Sequence, residues 1–371
     1  MTRHCIAVAA GGTGGHFFPA EALSCELVRR GHDIILMTDR RAGVRESGIF
    51  ASRQQFVLPG GGIAGRGAVR AARAAFALAR GTMQARRILA RLRPSAVIGF
   101  GGYPSVPPLL GGSLLPRAIR PMLFVHEGNA VLGKANGFLA SRMDAIATSF
   151  SLVAGVPAAI PTTLTGMPVR PDIAALAGEG YSPSNGVINL LVWGGSLGAR
   201  VFSDVVPTAL AALPPALRAR MQVTQQARAE DVARVSAAYA TAGIPAHVAS
   251  FLDDVPDRLR TAHLVIGRAG GSSVAELTVA GRPSLLVPLP IAARDEQGAN
   301  AQALSDAGAA WMIRQPDFTA PALTDRLTAL LGDRDLLART AQAAASLGRP
   351  DAATRLADMI EARLPEQPRT A

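Results

Sequence analysis

The sequence predicts an α/β protein built as two doubly wound domains, each a parallel sheet with helices on both faces. Three observations carry this. Short apolar runs alternate with helical patterns along the whole chain. A glycine-rich strand-to-helix turn occurs twice, at Ala10-Gly11-Gly12-Thr13-Gly14-Gly15-His16 and at Trp193-Gly194-Gly195-Ser196-Leu197-Gly198. The stretch Thr165-Gly166-Met167-Pro168-Val169-Arg170-Pro171 interrupts the alternation near the middle. With 371 residues, 49% hydrophobic and 18% charged, the chain can bury cores for two domains of ordinary size, divided at about residues 1–167 and 168–349.

Cys5–Ala10 reads as a buried parallel strand, and Pro19–Arg30 as a helix closed by Gly31. The glycines between them sit at the carboxyl end of the strand. There, backbone N–H groups can approach an anion and the helix adds its positive end. The dinucleotide fingerprint G-x-G-x-x-G fails, because its third glycine falls on Phe17, and this weakens a nicotinamide reading. Further strand-like runs are Ile34–Met37, Ala96–Phe100, Met122–His126, Ile188–Trp193, His263–Ile266 and Ser284–Val287.

The formal charge of +11 is regional: residues 1–170 carry 20 basic and 7 acidic side chains, residues 171–371 carry 18 and 20. No acid lies between Glu46 and Glu127, while Arg66, Arg70, Arg73, Arg80, Arg86, Arg87, Arg91 and Arg93 punctuate a helical pattern. This basic amphipathic surface, residues 64–93, suits an anionic membrane, at roughly 1 kcal/mol per arginine near the leaflet. A solvated face in an arginine-biased chain is the alternative. Phe76 is the one aromatic in the stretch, which argues against nucleic-acid binding. Residues 95–116 are uncharged but too rich in glycine and proline for a spanning helix. Two cysteines, Cys5 and Cys25, build no disulfide framework, and the amino-terminal apolar run is too short for a signal peptide, so a reducing, cytosolic setting is expected.

Ligands of open α/β sheets bind beyond the carboxyl ends of the strands, so the chemistry is expected where loops of the two domains face each other. Gly101-Gly102-Tyr103-Pro104-Ser105 and His126-Glu127-Gly128-Asn129 are candidates from the first domain. The second offers Gly194-Gly195-Ser196 and Gly267-Arg268-Ala269-Gly270-Gly271-Ser272-Ser273, with Glu276 a turn later. Ser272 and Ser273 at a helix start can donate to a diphosphate, and Glu276 can accept from ribose hydroxyls. Ser273 and Glu276 also have the S-x-x-E spacing of a capping box, which needs no ligand.

These motifs, with P-V-R at 168–170, G-G-S-x-G-A-R at 194–200 and Q-x-x-N-A at 297–301, resemble in order the MurG family of bacterial N-acetylglucosaminyltransferases. The resemblance implies a GT-B fold of two Rossmann-like domains. The N-terminal domain would hold the acceptor and face the membrane, the C-terminal one would hold the UDP-sugar, and a final helix at about 350–364 would return to the first. The implied activity is inverting transfer of N-acetylglucosamine from UDP-N-acetylglucosamine to a lipid-linked muramoyl-pentapeptide at the cytoplasmic face of the membrane. By position, Ser196, Ser272, Ser273 and Arg170 would hold the diphosphate, with Gly271 and Val274 beside them, and Glu276 the ribose. Backbone near Phe251 and Leu252 would read the uracil and Gln297 the transferred sugar. Thr13, Gly14, Gly15 and Asn129 would close the site, while His16, Tyr103, Glu127 and Asn300 would line the acceptor side. Gly128 and Leu197 stand where the family commonly has glutamine, and Glu296 near a further polar position.

His16 is the favoured general base, since a helix amino terminus disfavours imidazolium and leaves a neutral nitrogen to accept a proton. Glu127 is the rival base, and a capping or phosphate-binding role for His16 stays open. The leaving diphosphate is expected to be neutralised by helix ends and Arg170 rather than by metal, so no cofactor and no obligatory divalent ion are expected. A UDP-sugar epimerase or natural-product glycosyltransferase of the same fold, and a basic membrane- or nucleic-acid-binding module, are the competing readings.

Overall fold

The computed structural model describes residues 3–11, 14–59, 68–195, 198–290 and 294–365, with backbone alone for 68–71. The chain forms two compact units, Met1–Arg170 with Asp351–Ala371, and Pro171–Pro350. Among the described residues the first unit holds β1 (Cys5–Ala9), β2 (Asp33–Asp39), β3 (Gln54–Leu58), β4 (Ala96–Gly99), β5 (Met122–Glu127), β6 (Ala145–Thr148) and β7 (Thr162–Leu164). They form one sheet in the order β3-β2-β1-β4-β5-β6-β7, every pair parallel. Ile6 to Ala9 are fully buried, which explains why β1 is a continuous apolar run without alternation: helices cover both its faces. The strand order reverses between β1 and β4, which pair Ala9 with Gly99, and such a switch point opens a crevice at the carboxyl ends.

The helix after β1, α1 (Gly14–Arg29), begins five residues before the expected Pro19, which lies inside it. Proline is tolerated there because only one helical hydrogen bond is lost, that to the Gly15 carbonyl in the first turn. Phe17, Ala20, Leu23, Ser24 and Leu27 face the core at helical spacing, and Gly31 with φ 90° ends the element. The longest helix, α2 (Ala68–Leu92), packs on α3 (Gly102–Ser113). Their approach is close, since a Cβ on Gly111 would lie 2.9 Å from the Thr82 carbonyl oxygen. The glycine- and proline-rich stretch after β4 is thus helical despite Pro107 and Pro108. Among the described residues no helix is long and apolar enough to cross a membrane.

The carboxyl-terminal helix Ala352–Glu361 joins the first unit, packing Leu356, Met359 and Ile360 into the cluster that contains Phe17, Leu23 and Leu27. Arg30 reinforces the contact by donating to Glu26 at 2.8 Å, Asp358 at 2.7 Å and Glu361 at 2.5 Å.

In the second unit β8 (Ile188–Trp193), β9 (Met221–Gln226), β10 (Ala246–Ala249), β11 (Leu264–Gly267), β12 (Ser284–Leu286) and β13 (Trp311–Met312) form a parallel sheet ordered β10-β9-β8-β11-β12-β13. Its switch point lies between β8 and β11, where Trp193 pairs with Gly267.

Candidate active site

In the first unit the switch point brings the loop after β1 against the loop after β4. His16, in the first turn of α1, lies with Nδ1 2.9 Å from the Phe100 carbonyl oxygen. A carbonyl can only accept, so Nδ1 carries the proton and Nε2 keeps its lone pair. The ring rests on Gly101 and Gly102, whose φ values of 85° and 67° exclude a comfortable side chain. A Cβ on Gly102 would stand 3.5 Å from Nε2. Burial is the main force holding the imidazole below its ordinary pKa, against the opposing pulls of the Phe100 carbonyl and the Glu127 carboxylate. Desolvation leads here, where the sequence pointed to the helix dipole.

Glu127, the last residue of β5, is 2% exposed. Its Oε1 accepts from the Asn129 backbone N–H at 3.0 Å and the Asn129 side-chain amide at 2.9 Å. Its Oε2 accepts from Gly133 N–H at 2.8 Å and Asn136 Nδ2 at 2.9 Å. Four donors from the loop and from α4 (Lys134–Leu139) saturate a carboxylate that is sealed from solvent. Such a group organises the loop, and its saturated hydrogen bonding weighs against its taking a substrate proton. His126 beside it is buried, held down to about 4 by burial, stacks on Phe100 at 5.4 Å and donates to the Gly166 carbonyl at 2.9 Å. Tyr103 is half-buried in the first turn of α3. Arg170, the last residue of the unit's first segment, places its guanidinium over the Phe18 ring at 5.3 Å. Gly14 and Gly15 open α1, while Thr13 lies outside the described residues.

Gly128 has a packing reason: a Cβ there would collide with the methyl end of Met167. The thioether occupies the space that a larger residue at 128 would need.

In the second unit, Gly194 lies where a Cβ would stand 2.5 Å from the Ala199 nitrogen, so the loop after β8 folds back on itself only with glycine there. Ser196 and Leu197 lie outside the described residues. After β11, the helix Gly271–Val279 has Gly270 as N-cap, and no side chain caps it. Ser273 is therefore the third residue of the helix and Glu276 the sixth, which is not the register of a capping box. The first-turn N–H groups of Gly271, Ser272 and Ser273 have no intrahelical acceptor and point along the axis, as at any helix start. Glu276 is buried, and Val274 packs inward.

Arg268 serves structure, donating to the carbonyls of Val287 at 2.9 Å and Pro288 at 3.2 Å with its guanidinium stacked on Phe202 at 5.1 Å. Asn300 is 0% exposed and donates to the Ala269 carbonyl at 2.9 Å. It braces the serine loop from inside the second unit. Gln297 accepts from Leu289 N–H at 3.0 Å, with its amide nitrogen beside Gly270. Leu252 is buried beyond the end of β10 while Phe251 is exposed. Sequence reasoning missed Phe100, Asn136 and Met167: the first acts through its backbone, and the other two belong to no motif.

The two parallel sheets match known families part by part. The model of the glycosyltransferase family 28 N-terminal domain matches residues 6–148, and that of the family 28 C-terminal domain residues 189–356. The chain belongs to glycosyltransferase family 28. Within that family it is of the MurG type. It is 60% identical over 359 residues to the UDP-N-acetylglucosamine–N-acetylmuramyl-(pentapeptide) pyrophosphoryl-undecaprenol N-acetylglucosamine transferase of Gluconobacter oxydans, covering 97% of this chain and 98% of that one. It is 56% identical to the transferase of the same name from Granulibacter bethesdensis, covering 97% and 94%. Crystallographic MurG of Acinetobacter baumannii superposes with a TM-score of 0.77 at 28% identity, over 97% of this chain and 99% of that one. The family 28 assignment makes the chain a GT-B glycosyltransferase and sets aside the binding-module reading.

Proposed function

We propose that the protein transfers N-acetylglucosamine from UDP-N-acetylglucosamine to the C4 hydroxyl of the muramoyl sugar of undecaprenyl-diphospho-N-acetylmuramoyl-pentapeptide, the lipid I to lipid II step of peptidoglycan synthesis. The observation that carries the mechanism is the bond from His16 Nδ1 to the Phe100 carbonyl, which leaves Nε2 as a neutral acceptor. In this reading the first unit takes the acceptor. Nε2 removes the proton from the C4 hydroxyl as its oxygen attacks the anomeric carbon, and UDP leaves from the opposite face with inversion. Glu127 holds Asn129 and the loop in place and its charge favours the imidazolium that forms. The second unit takes the donor: Ser272, Ser273 and the amino end of their helix meet the diphosphate, and Glu276 takes the ribose hydroxyls. Gln297 takes the sugar, and the backbone at Leu252 the uracil.

The outward face of α2 supports peripheral binding to an anionic membrane at the cytoplasmic face. Arg73, Arg80, Arg87 and Arg91 surround Phe76 at 72% and Met83 at 43% exposure. Exposed Leu114 adjoins through its carbonyl, which accepts from Arg86 at 3.2 Å. Apolar side chains among arginines are what an interfacial helix needs and a merely solvated face does not. The test is thermal unfolding with UDP-N-acetylglucosamine, UDP-glucose and NADPH in parallel, followed by transfer to a lipid-linked muramoyl acceptor. A rise in midpoint confined to the first ligand, with sugar transfer, is expected. Stabilisation by NADPH alone, or ligand binding without transfer, would overturn the reading.

A further inference from the structure

We propose that Arg45 positions the acceptor by binding one of its anionic groups, the diphosphate or a carboxylate of the peptide; this rests on the reading that the first unit takes the acceptor. Arg45 lies in the segment joining β2 to β3, and three features immobilise it. Its backbone N–H donates to Gln55 Oε1 at 2.8 Å, and its carbonyl accepts from Gln55 Nε2 at 2.9 Å. The same amide nitrogen also reaches the Phe50 carbonyl at 2.9 Å, so Gln55 ties the segment at two points. The guanidinium lies over the Phe17 ring, 4.2 Å from its centre, and Phe50 braces that ring edge-on at 5.6 Å.

Phe17 follows His16 in the first turn of α1. From Arg45 the segment runs down the helix, because a Cβ on Gly48 would collide with the Glu21 carboxylate one turn later. Arg45 is therefore fixed at the amino-terminal end of α1, in the turn that carries the base. Arg41, four residues earlier in the same segment, is by contrast neutralised by Asp39 at 3.0 Å. Among the described residues no carboxylate pairs with Arg45 and no acceptor takes its side-chain N–H groups; one face rests on Phe17. A guanidinium covered on one face, with its edge not engaged and its backbone pinned, presents a preorganised fork to a phosphate or a carboxylate. The adjacent helix start adds positive potential to the same place.

The test compares Arg45→Met, which keeps a flexible apolar stem over Phe17, and Arg45→Lys, which keeps the charge and loses the fork. Measurements are KM for acceptor and donor, kcat, and the thermal midpoint. R45M should raise the acceptor KM about 10- to 100-fold, the loss of a charge-assisted bidentate contact, with donor KM and midpoint unchanged. R45K should fall between. A role limited to packing on Phe17 would lower the midpoint and leave the KM ratio alone. If R45M is itself destabilised, R45K carries the same comparison.

Two acceptor analogues separate the sources. If amidating the peptide carboxylates abolishes the difference between wild type and R45M, Arg45 reads the peptide; if replacing the diphosphate by a monophosphate abolishes it, Arg45 reads the diphosphate. A difference that survives both, or an unchanged acceptor KM in folded R45M and R45K, overturns the proposal. His16→Ala run alongside reports on the underlying reading. Loss of turnover there with R45M unaffected removes only Arg45, whereas full turnover in His16→Ala together with an unchanged acceptor KM in folded R45M and R45K removes the acceptor assignment of this end of α1.

Discussion

His16 shows how a single backbone contact sets the chemistry of a residue. The sequence marks it by its place after a glycine-rich turn, but the carbonyl that fixes its tautomer belongs to Phe100, 84 residues away. His16→Ala should lower turnover about 100- to 10,000-fold with donor affinity little changed. Because burial keeps the imidazole below its ordinary pKa, the acidic limb of kcat/KM should lie below pH 6.5 and disappear in the variant. Glu127→Gln tests the competing assignment. An amide cannot accept all four hydrogen bonds, so this variant should lose thermal stability first, whereas loss of turnover with an unchanged midpoint would restore Glu127 as the base. Glu276 was legible as the carboxylate one turn beyond the paired serines, and the register of its helix, with Gly270 as N-cap, decides against a capping box. Glu276→Ala should weaken UDP binding about ten- to a hundredfold by calorimetry, the equivalent of roughly 1.5–3 kcal/mol for charge-assisted hydrogen bonds. Unchanged affinity in a folded variant would leave the carboxylate with a structural task only.

At the scale of elements, strand cores were the most readable feature, because a strand covered on both faces must be apolar throughout. β1, β2, β4, β5, β8, β11 and β12 all contain runs legible in the sequence. Edge strands carried less signal: β3 and β7 are only partly buried, and neither stands out by hydropathy. Helix limits were harder where glycine and proline mislead. α1 starts at Gly14 and α3 runs through Pro107 and Pro108, since each proline costs one helical bond and the surrounding packing outweighs it. For α2 the arginine spacing predicts the face, and the structure adds that Phe76 and Met83 share it. Reversing charge at Arg73, Arg80 and Arg87 should reduce binding to anionic vesicles and activity on vesicle-embedded acceptor, with activity on a short-chain soluble acceptor retained. Wild-type binding should weaken with salt, as exposed charges are screened over about 8 Å at physiological ionic strength. Undiminished sedimentation of the triple variant with vesicles would exclude this face of α2 as the contact. Arg70, also in the sequence pattern, lies among residues whose side chains are not described.

For the molecule as a whole, pH exposes how the first unit is held together. His126 is pressed down to about 4 by burial. Below its ordinary 6.5 the unfolded chain takes up a proton that the folded chain refuses, so this contribution to stability is complete above pH 6.5 and is lost as pH falls toward 4. Glu26, held at about 2 mainly by its hydrogen bond with Arg29 and further by Arg30, contributes fully above its ordinary 4.5 and less as pH falls toward 2. The urea midpoint should therefore begin to fall near pH 6.5 and fall further below 4.5. His126→Gln should flatten the first part of that decline; a wild-type midpoint constant down to pH 5 would show that burial of His126 does not govern it.

The sequence by itself determined the α/β class, the two glycine-rich turns, the order of motifs that places the chain in its family, and the charge asymmetry of the first half. These are local properties, or sums of them, and each follows from what a short segment must bury or expose. Only the tertiary structure decided that the Phe100 carbonyl orients His16, that Glu127 is saturated by Asn129, Gly133 and Asn136, that Asn300 is a buried brace, that the end of Met167 lies over Gly128, and that α1 is the element on which the last helix packs. Those outcomes depend on pairs of residues far apart in the chain, whose meeting is fixed by strand order and by which side chains fill the space between, and neither quantity is carried by any local pattern.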